Sequence, residues 1–274
     1  MYKNIKVKLI STVLLIIILF TLYGCTNSGE TAKQEMTKLE EIKEKGKIVL
    51  GTSADYPPYE FHKEINGKDE IVGFDIEIAK QIAKELGVEL EIKDMKFDGL
   101  LAALQMNKID FIVAGMTPTE ERKENADFSK TYYEAEQCLL VKKGDGSKYK
   151  EIDDLSGIEV GVQKSTIQEQ LAKEKIEDAE IKALSKITSL VLELKNNKVD
   201  GIVLVKPVAE AYAKANKDLE VAEVSLGKED GVAIAVKKGN TELMNAINKT
   251  IDKLMKEGKI SQFINEATHL SEED

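Results

Sequence analysis

Apolar and polar positions alternate along the first half of the chain in the order expected of strands and helices. Short apolar runs predict strands, and apolar residues spaced along one helical face predict the helices between them. One helix is predicted from an N-cap at Asp75 to a stop at Gly87, and Asn66-Gly67 predicts a hairpin turn before it. The predicted strands are Ile48–Leu50, Val88–Ile92 and Ile109–Val113, and a further helix spans Phe97–Leu104. This order is typical of a parallel sheet covered by helices.

The second half of the chain repeats the order and predicts a second, similar lobe. Its predicted strands are Ile158–Val162, Ile181–Leu184 and Gly201–Val205, with helices at Thr166–Lys175 and around Leu190–Leu194. The sequence Asn-Lys-Ile-Asp at 107–110 and the sequence Asn-Lys-Val-Asp at 197–200 each follow an apolar helix. Chance agreement in a lysine-rich chain is the alternative, but we favour two related α/β lobes.

Two extended segments, 137–142 and 231–237, lie between the predicted lobes, and two helices, 241–256 and 260–266, follow them. If these helices return to the first lobe, the chain crosses between the lobes twice. Two crossing segments form a hinge, and a hinge between two α/β lobes creates a cleft. We therefore expect lobe 1 to comprise residues 39–137 and 232–274, and lobe 2 to comprise residues 138–231.

The N-terminal segment has the features of an export signal with a lipid attachment site. Three early lysines precede a mostly apolar run from Leu9 to Leu22, which is shorter than the ~20 residues of a membrane-spanning helix. Gly24-Cys25 resembles the bacterial lipobox, in which the cysteine is acylated and becomes the new N-terminus. We expect removal of residues 1–24, a lipid on Cys25 and a flexible tether over residues 25–38. A plain secretory signal with an incidental cysteine is the alternative.

Composition narrows the possible functions further. The 274 residues carry 49 acidic and 39 basic side chains, a formal net charge of −10, which argues against a nucleic-acid partner. Two cysteines and two histidines do not suffice for a disulfide framework or a His/Cys zinc site. The glycine motifs for nucleotide phosphates and the nucleophile elbow are absent. We therefore expect no metal and no cofactor.

Ligands of open α/β sheets bind beyond the carboxyl ends of the strands, and the loops there carry capping residues. Thr117 is predicted to cap a helix that contains Arg122, and Ser165-Thr166 repeats the capping pattern in the second lobe. A helix N-terminus beside a guanidinium can hold a carboxylate. Each feature alone is ordinary capping or an ordinary surface charge, so the predicted carboxylate site depends on their convergence in the cleft.

Four stretches make the sequence similar to the extracellular solute-binding proteins (family 3) of polar amino-acid ABC transporters. They are GTSADYPPYEF at 51–61, IVGFDIEIAKQIAKELG at 71–87, FDGLLAALQMNKIDFIVAGMTPTEERKENADFS at 97–129 and VGVQKSTIQEQ at 160–170. The resemblance extends from about Leu39 to His269. It implies a two-lobed type II periplasmic-binding-protein fold that traps an amino acid, with polar or cationic ones favoured, and docks on a permease.

The resemblance also implies a set of ligand contacts. Tyr56 is expected to stack on the ligand side chain with Phe97 on the other side, although core packing is the alternative for both. Arg122 is expected to form a bidentate salt bridge with the ligand carboxylate. The other expected contacts are Ser53, Asp55, Ala114, Gly115, Thr117, Ser165 and Thr166, with Gln163 and Lys164 near the mouth of the cleft.

One position departs from the family pattern. Family members usually carry Asp or Glu five residues after the Asp of the NKVD element, where the acid pairs with the α-ammonium, and this chain has Val205 there. Three explanations compete: the ligand lacks an α-ammonium, another residue supplies the acid, or the alignment is shifted by a residue. A shift does not restore the pattern, because no acid occurs between residues 201 and 209. We expect an α-amino acid whose ammonium is held by Asp55, the Thr117 hydroxyl and a carbonyl near Gly115.

Two other classes of function fit the same fold. A dehydratase-like enzyme acting on a cyclic carboxylate would need a general acid in the cleft, and Asp55 or Glu60 could serve. A ligand-sensing domain would need a partner chain, because no signalling domain follows. The leading hypothesis is a lipid-anchored amino-acid receptor of an importer.

Overall fold

Two five-stranded sheets organise residues 36–228 and 230–273, the part of the chain that the computed structural model describes. The helices are α1 Lys38–Lys45, α2 Phe74–Leu86, α3 Leu100–Gln105, α4 Glu120–Asn125, α5 Ile167–Lys175, α6 Ile187–Lys195, α7 Lys206–Ala215, α8 Thr241–Lys256 and α9 Lys259–Glu272. The strands are β1 Lys47–Thr52, β2 Asp55–Tyr56, β3 Glu60–Ile65, β4 Lys68–Val72, β5 Glu89–Asp94, β6 Phe111–Ile112, β7 Ala126–Phe128, β8 Glu136–Lys142, β9 Glu159–Gln163, β10 Glu180–Leu184, β11 Gly201–Val205, β12 Leu219–Lys228 and β13 Ala235–Lys237. The predictions about the signal segment and Cys25 concern residues outside the described part.

The two sheets share one plan. The first has the strand order β5-β1-β6-β13-β7 and the second the order β10-β9-β11-β8-β12. In each, the first three strands are parallel, and the fourth lies antiparallel to both of its neighbours. The predicted two-lobed α/β fold is thereby confirmed.

The chain passes from the first sheet to the second between β7 and β8, and it returns between β12 and β13. The two passages pair with each other. The Val232 N–H donates to the Tyr133 carbonyl at 2.9 Å, and the Tyr132 N–H donates to the Val232 carbonyl at 3.0 Å. The lobes are therefore joined by two adjacent extended segments. Changes in a few backbone torsions of such segments are enough to rotate one lobe against the other.

The repeated Asn-Lys-Ile/Val-Asp element has the same structural role in both lobes. Asn107 and Asn197 end their helices with positive φ angles of 54° and 56°, a conformation that asparagine tolerates better than most residues. Asp110 accepts a hydrogen bond from the Val49 N–H at 2.8 Å, and Asp200 accepts one from the Glu159 N–H at 2.9 Å. Each aspartate directly precedes a strand, and its hydrogen bond fixes the start of that strand against the neighbouring strand of the same lobe.

The antiparallel sheet β2-β3-β4 carries the Pro-Pro loop between β2 and β3, and Glu60 is the first residue of β3. Helix α2 after it begins at Phe74 with Gly73 as the N-cap, so the predicted cap at Asp75 is wrong. Gly73 has a φ of 131°, and a Cβ there would lie 2.1 Å from the Tyr59 carbonyl oxygen. Because only glycine permits this approach, Asp75 is the second residue of the helix and not its cap, and its carboxylate is available for other contacts.

The C-terminal helices pack mainly on helices of the first lobe. Helix α8 packs on α1 and α2, and α9 packs on α2 and also on α7 of the second lobe. The apolar face of α8 is buried through Leu243, Ile247 and Ile251. Among the described residues, no helix combines the length and the apolar content that crossing a bilayer requires.

Candidate functional site

A cavity lies where the carboxyl ends of β1, β6 and β9 meet, between the two lobes. The predicted residues that line it are Ser53, Tyr56, Phe97, Ala114, Gly115, Thr117, Arg122 and Thr166. The lining is completed by Glu60, Gln163, Ile167 and Gln168. Three predicted contacts, Asp55, Ser165 and Val205, are not among the lining residues. No group of three metal-ligating side chains occurs in the described ranges.

Arg122 is the buried cation of the cavity, with 8% of its surface exposed. Its Nη1 donates to the Thr117 carbonyl and its Nη2 to the Ser165 carbonyl, both at 2.7 Å, and the guanidinium carbon lies 5.3 Å from the centre of the Phe97 ring. No Asp or Glu of the described residues forms an ion pair with it. Burial lowers the pKa of Arg122 to about 10, so the side chain is charged at neutral pH and lacks an anion.

Arg122 is positioned by a short helix whose cap differs from the predicted one. Thr119 is the N-cap of α4, and its side chain accepts from the Arg122 N–H at 3.3 Å. Thr117, the predicted cap, precedes this turn and lines the cavity instead. The predicted pattern in the second lobe is correct, because Thr166 caps α5 and accepts from the Glu169 N–H.

Aromatic rings form part of the wall on the first lobe. The Tyr56 ring lies 5.2 Å from that of Tyr59. Gly115 has a φ of 52°, and a Cβ on it would lie 3.3 Å from the Tyr56 ring, so glycine allows the ring to lie against the backbone. Phe97 is 8% exposed and both lines the cavity and contacts Arg122. Ligand stacking and core packing are therefore not exclusive roles for these aromatic residues.

Glu60 and Asp75 form a buried pair of acids at the cavity. Glu60 is 1% exposed, and its Oε2 has no hydrogen-bond partner. Asp75 accepts from the Gly115 N–H and from the Tyr132 hydroxyl, both at 2.8 Å, and shares a hydrogen bond with Glu60. Burial raises the pKa of Asp75 to about 6. Burial and the Asp75 charge together raise the pKa of Glu60 well above its ordinary value.

The donors around Asp75 decide where the shared proton resides. The Gly115 N–H and the Tyr132 hydroxyl stabilise the Asp75 carboxylate, whereas the Oε2 of Glu60 has no hydrogen-bond partner. Glu60 is therefore the protonated member of the pair, and as a cavity-lining residue it carries a buried oxygen, Oε2, that has no hydrogen-bond partner. The sequence suggested Glu60 only as an enzymatic acid, although its place between Tyr59 and Phe61 at the start of a strand is a signal of burial.

Asp55 contacts the opposite lobe. Its Oδ2 accepts from the Ile187 N–H at 2.8 Å and its Oδ1 from the Ser53 hydroxyl at 3.2 Å. Its backbone carbonyl accepts from the Tyr212 hydroxyl at 2.7 Å. Both carboxylate oxygens thus have protein partners. This arrangement differs from the expected one, in which the Asp55 carboxylate contacts a ligand ammonium.

Ser165 and Val205 also have structural partners. The Ser165 N–H donates to the Glu169 carboxylate at 2.8 Å, and its carbonyl accepts from Arg122. Val205 ends β11 opposite Gln137 of β8 and is buried in the main apolar core. Its side chain therefore contributes to packing beneath the cleft.

Comparisons with known proteins agree with this architecture. The sequence matches the family of bacterial extracellular solute-binding proteins, family 3, over residues 48–267. The arginine-binding extracellular protein ArtP of Bacillus subtilis is 37% identical over 246 residues, which cover 88% of this chain and 89% of ArtP. The ABC transporter glutamine-binding protein GlnH of the same organism is 35% identical over 96% of each chain.

A solved structure extends the agreement to three dimensions. The amino acid ABC transporter substrate-binding protein AbpA of Streptococcus pneumoniae, bound to L-arginine, has a TM-score of 0.82 at 40% identity, covering 86% of this chain and 100% of AbpA. These relatives are named as binding proteins of transporters, which agrees with a non-enzymatic, amino-acid-binding function outside the cytoplasm. The chain belongs to the bacterial extracellular solute-binding proteins of family 3.

Proposed function

We propose that this protein is a lipid-anchored receptor that captures L-arginine and delivers it to the permease of an ABC importer. One observation carries the choice of ligand: a single cavity is lined by a buried cation without an anionic partner and a buried acid with an unpartnered oxygen. A ligand that carries both a carboxylate and a cationic side chain complements the two groups.

Arg122 is the group for the ligand carboxylate. A buried charge is stable only when it is paired or hydrogen-bonded. The guanidinium has five N–H donors, and two of them donate to protein carbonyls. Its remaining donors can form a charged hydrogen bond to a carboxylate in the cavity.

Glu60 is the group for the guanidinium side chain of the ligand. Its free Oε2 can accept from a cationic donor, and the arriving positive charge favours the ionised form of the acid. The rings of Tyr56 and Phe97 line the same cavity and offer faces for a planar guanidinium. The arginine named with ArtP and with AbpA supports the same ligand.

The α-ammonium is held by uncharged oxygens in this proposal. Val205 cannot supply a charge, and Asp55 is engaged by Ile187 and Ser53. The Thr117 hydroxyl and the carbonyl groups of Ala114 and Gly115 remain for an ammonium, since these residues line the cavity. Such a set compensates part of the desolvation of the ammonium.

The two paired passages between the sheets serve as the hinge for capture and release. Residues 39–137 and 232–274 move as lobe 1 against residues 138–231, and the receptor acts as a monomer. The closed form docks on the permease, and a lipid on Cys25 keeps the receptor at the outer face of the membrane.

Replacing Arg122 by alanine should weaken arginine binding by roughly 30-fold to several thousand-fold. Losing one partner of a buried, hydrogen-bonded charge pair costs about 2–5 kcal/mol, and about 1.4 kcal/mol corresponds to a factor of ten. Isothermal titration calorimetry measures the effect, with Lys123→Ala on the exposed face of α4 as the matched control. Affinity within threefold of wild type would exclude the assigned role.

Replacing Glu60 by glutamine should reduce the affinity for arginine at least tenfold and leave the affinity for citrulline nearly unchanged. Citrulline has the shape of arginine but an uncharged side-chain end, so the difference between the two affinity losses isolates the contact with the charge. A lost hydrogen bond to a charged group corresponds to about 1.5–3 kcal/mol. Calorimetry with both ligands on both proteins gives the comparison. Equal losses for the two ligands would show that Glu60 does not recognise the guanidinium.

Arginine binding should strengthen as pH rises. Because the pKa of Glu60 is raised in the ligand-free protein, a cation that needs the ionised acid must displace a proton at lower pH. The association constant should rise by up to about tenfold per pH unit below that pKa and level off above it. Calorimetry in buffers of different ionisation enthalpy should detect proton release on binding. Glu60→Gln should remove both effects, and a pH dependence retained in that variant would assign it to another group.

Lipid attachment should depend on Cys25. Cys25→Ala should abolish incorporation of a labelled fatty acid in the producing bacterium, because the acylated thiol is missing. Cys138→Ala is the control, since Cys138 is buried within β8 and should not affect labelling. Label that persists on the Cys25 variant would reject the anchor.

A further inference from the structure

Helix α6 of the second lobe lacks a cap of its own. Its N-cap residue is Lys186, and no side chain of its own segment bonds to its first turn. A lysine has only donors, so it cannot accept from the free N–H groups at a helix start. Helices α4 and α5 at the same cleft carry threonine caps. The N-terminus of α6 therefore needs an acceptor from elsewhere.

Asp55 of the first lobe supplies that acceptor across the cleft. Its Oδ2 accepts from the Ile187 N–H, the first of α6, at 2.8 Å. Its carbonyl accepts from the hydroxyl of Tyr212 on α7. One residue of lobe 1 thus bonds to two helices of lobe 2, and both bonds lie outside the set of cavity-lining residues.

Two weaker contacts surround this bond. Lys186 Nζ lies 3.6 Å from Asp94 at the end of β5, and the Ser185 hydroxyl donates to Asp98 at 3.2 Å. Lobe 1 thus presents several carboxylates to the positive end of α6, an arrangement that the helix dipole favours. Asp55 is the most buried of them, at 6% exposure, so its bond is the least accessible to water.

We propose that Asp55 is a closure latch, which caps α6 only when the lobes are together and raises the affinity for ligand without touching it. This inference goes beyond the proposed function and uses its hinge motion. When the lobes separate, Asp55 and the α6 N-terminus must part and be hydrated. A contact present only in the closed form shifts the open–closed equilibrium, so it strengthens the binding of every ligand by the same factor.

The comparison of Asp55→Ala with Asp55→Asn tests the latch. Alanine removes the acceptor, and we expect a loss of affinity of roughly tenfold to hundredfold, with faster dissociation in stopped-flow measurements. Asparagine is a good capping residue, so it should restore most of the affinity. Asp200→Asn is the matched control, because its bond to the Glu159 N–H lies within one lobe. It should leave ligand affinity unchanged.

The ligand pair separates a latch from a direct contact. Arginine and 5-guanidinopentanoate, its deaminated analogue, should lose affinity for Asp55→Ala by the same factor. A loss confined to arginine would show that Asp55 binds the ammonium, and a loss below threefold for both would show that no latch exists. Failure of wild type to bind arginine would reject the proposed ligand alone. The latch is then measured in the same way with the amino acid that stabilises wild type in a thermal-shift screen, and with its deaminated analogue.

Discussion

The organisation of this protein depends on one electrostatic constraint, the burial of the Arg122 guanidinium without a carboxylate from the described residues. Two backbone carbonyls and the Phe97 ring hold the group in place. They satisfy its geometry but do not neutralise its charge, and such a charge in a low-dielectric site favours an anion strongly. One of the two carbonyls belongs to Ser165 of the second lobe, so the same cation takes part in joining the lobes.

The fold makes this constraint possible. Each lobe presents the carboxyl ends of its parallel strands to the same space, and each contributes loops that begin a helix. In the part of the chain that the structure describes, two adjacent passages connect the lobes. A cleft built in this way can expose its charges to water when the lobes separate and bury them when they meet. Ligand capture and the removal of water from Arg122 and Glu60 are then one event.

Glu60 and Asp75 are the acids that can provide the opposite charge at the cavity. Two ionised acids in contact within the protein would repel each other, but a shared proton leaves one charge between them. The Gly115 N–H and the Tyr132 hydroxyl both donate hydrogen bonds to Asp75. An acid that ionises when a cation arrives favours cationic ligands over neutral ones. In the proposed function, the protonation of Glu60 is therefore linked to selectivity for a charged ligand side chain.

The sequence was enough to predict the alternation of strands and helices, the two lobes and most of the residues that line the cavity. These follow from local rules: apolar periodicity defines the elements, and the strand ends of an open sheet define where ligands bind. Thr166 as a cap was also predictable from a local pattern. The local rules failed at Asp75 and Thr117. Helix α2 is capped by Gly73 and not by Asp75, and helix α4 is capped by Thr119 and not by Thr117.

Which polar groups have partners could be seen only in the folded protein. Asp55, Glu60 and Asp75 look alike in sequence, as acids near aromatic residues on one loop and one helix. In the fold, Asp55 bonds to the N-terminus of α6, Asp75 receives two donors, and Glu60 keeps a free oxygen at the cavity. Their partners lie far away in the chain, at Ile187, Gly115 and Tyr132. Hydrogen bonds are short and directional, so their pairing is set when distant segments meet, whereas hydrophobic periodicity is set by the chain alone.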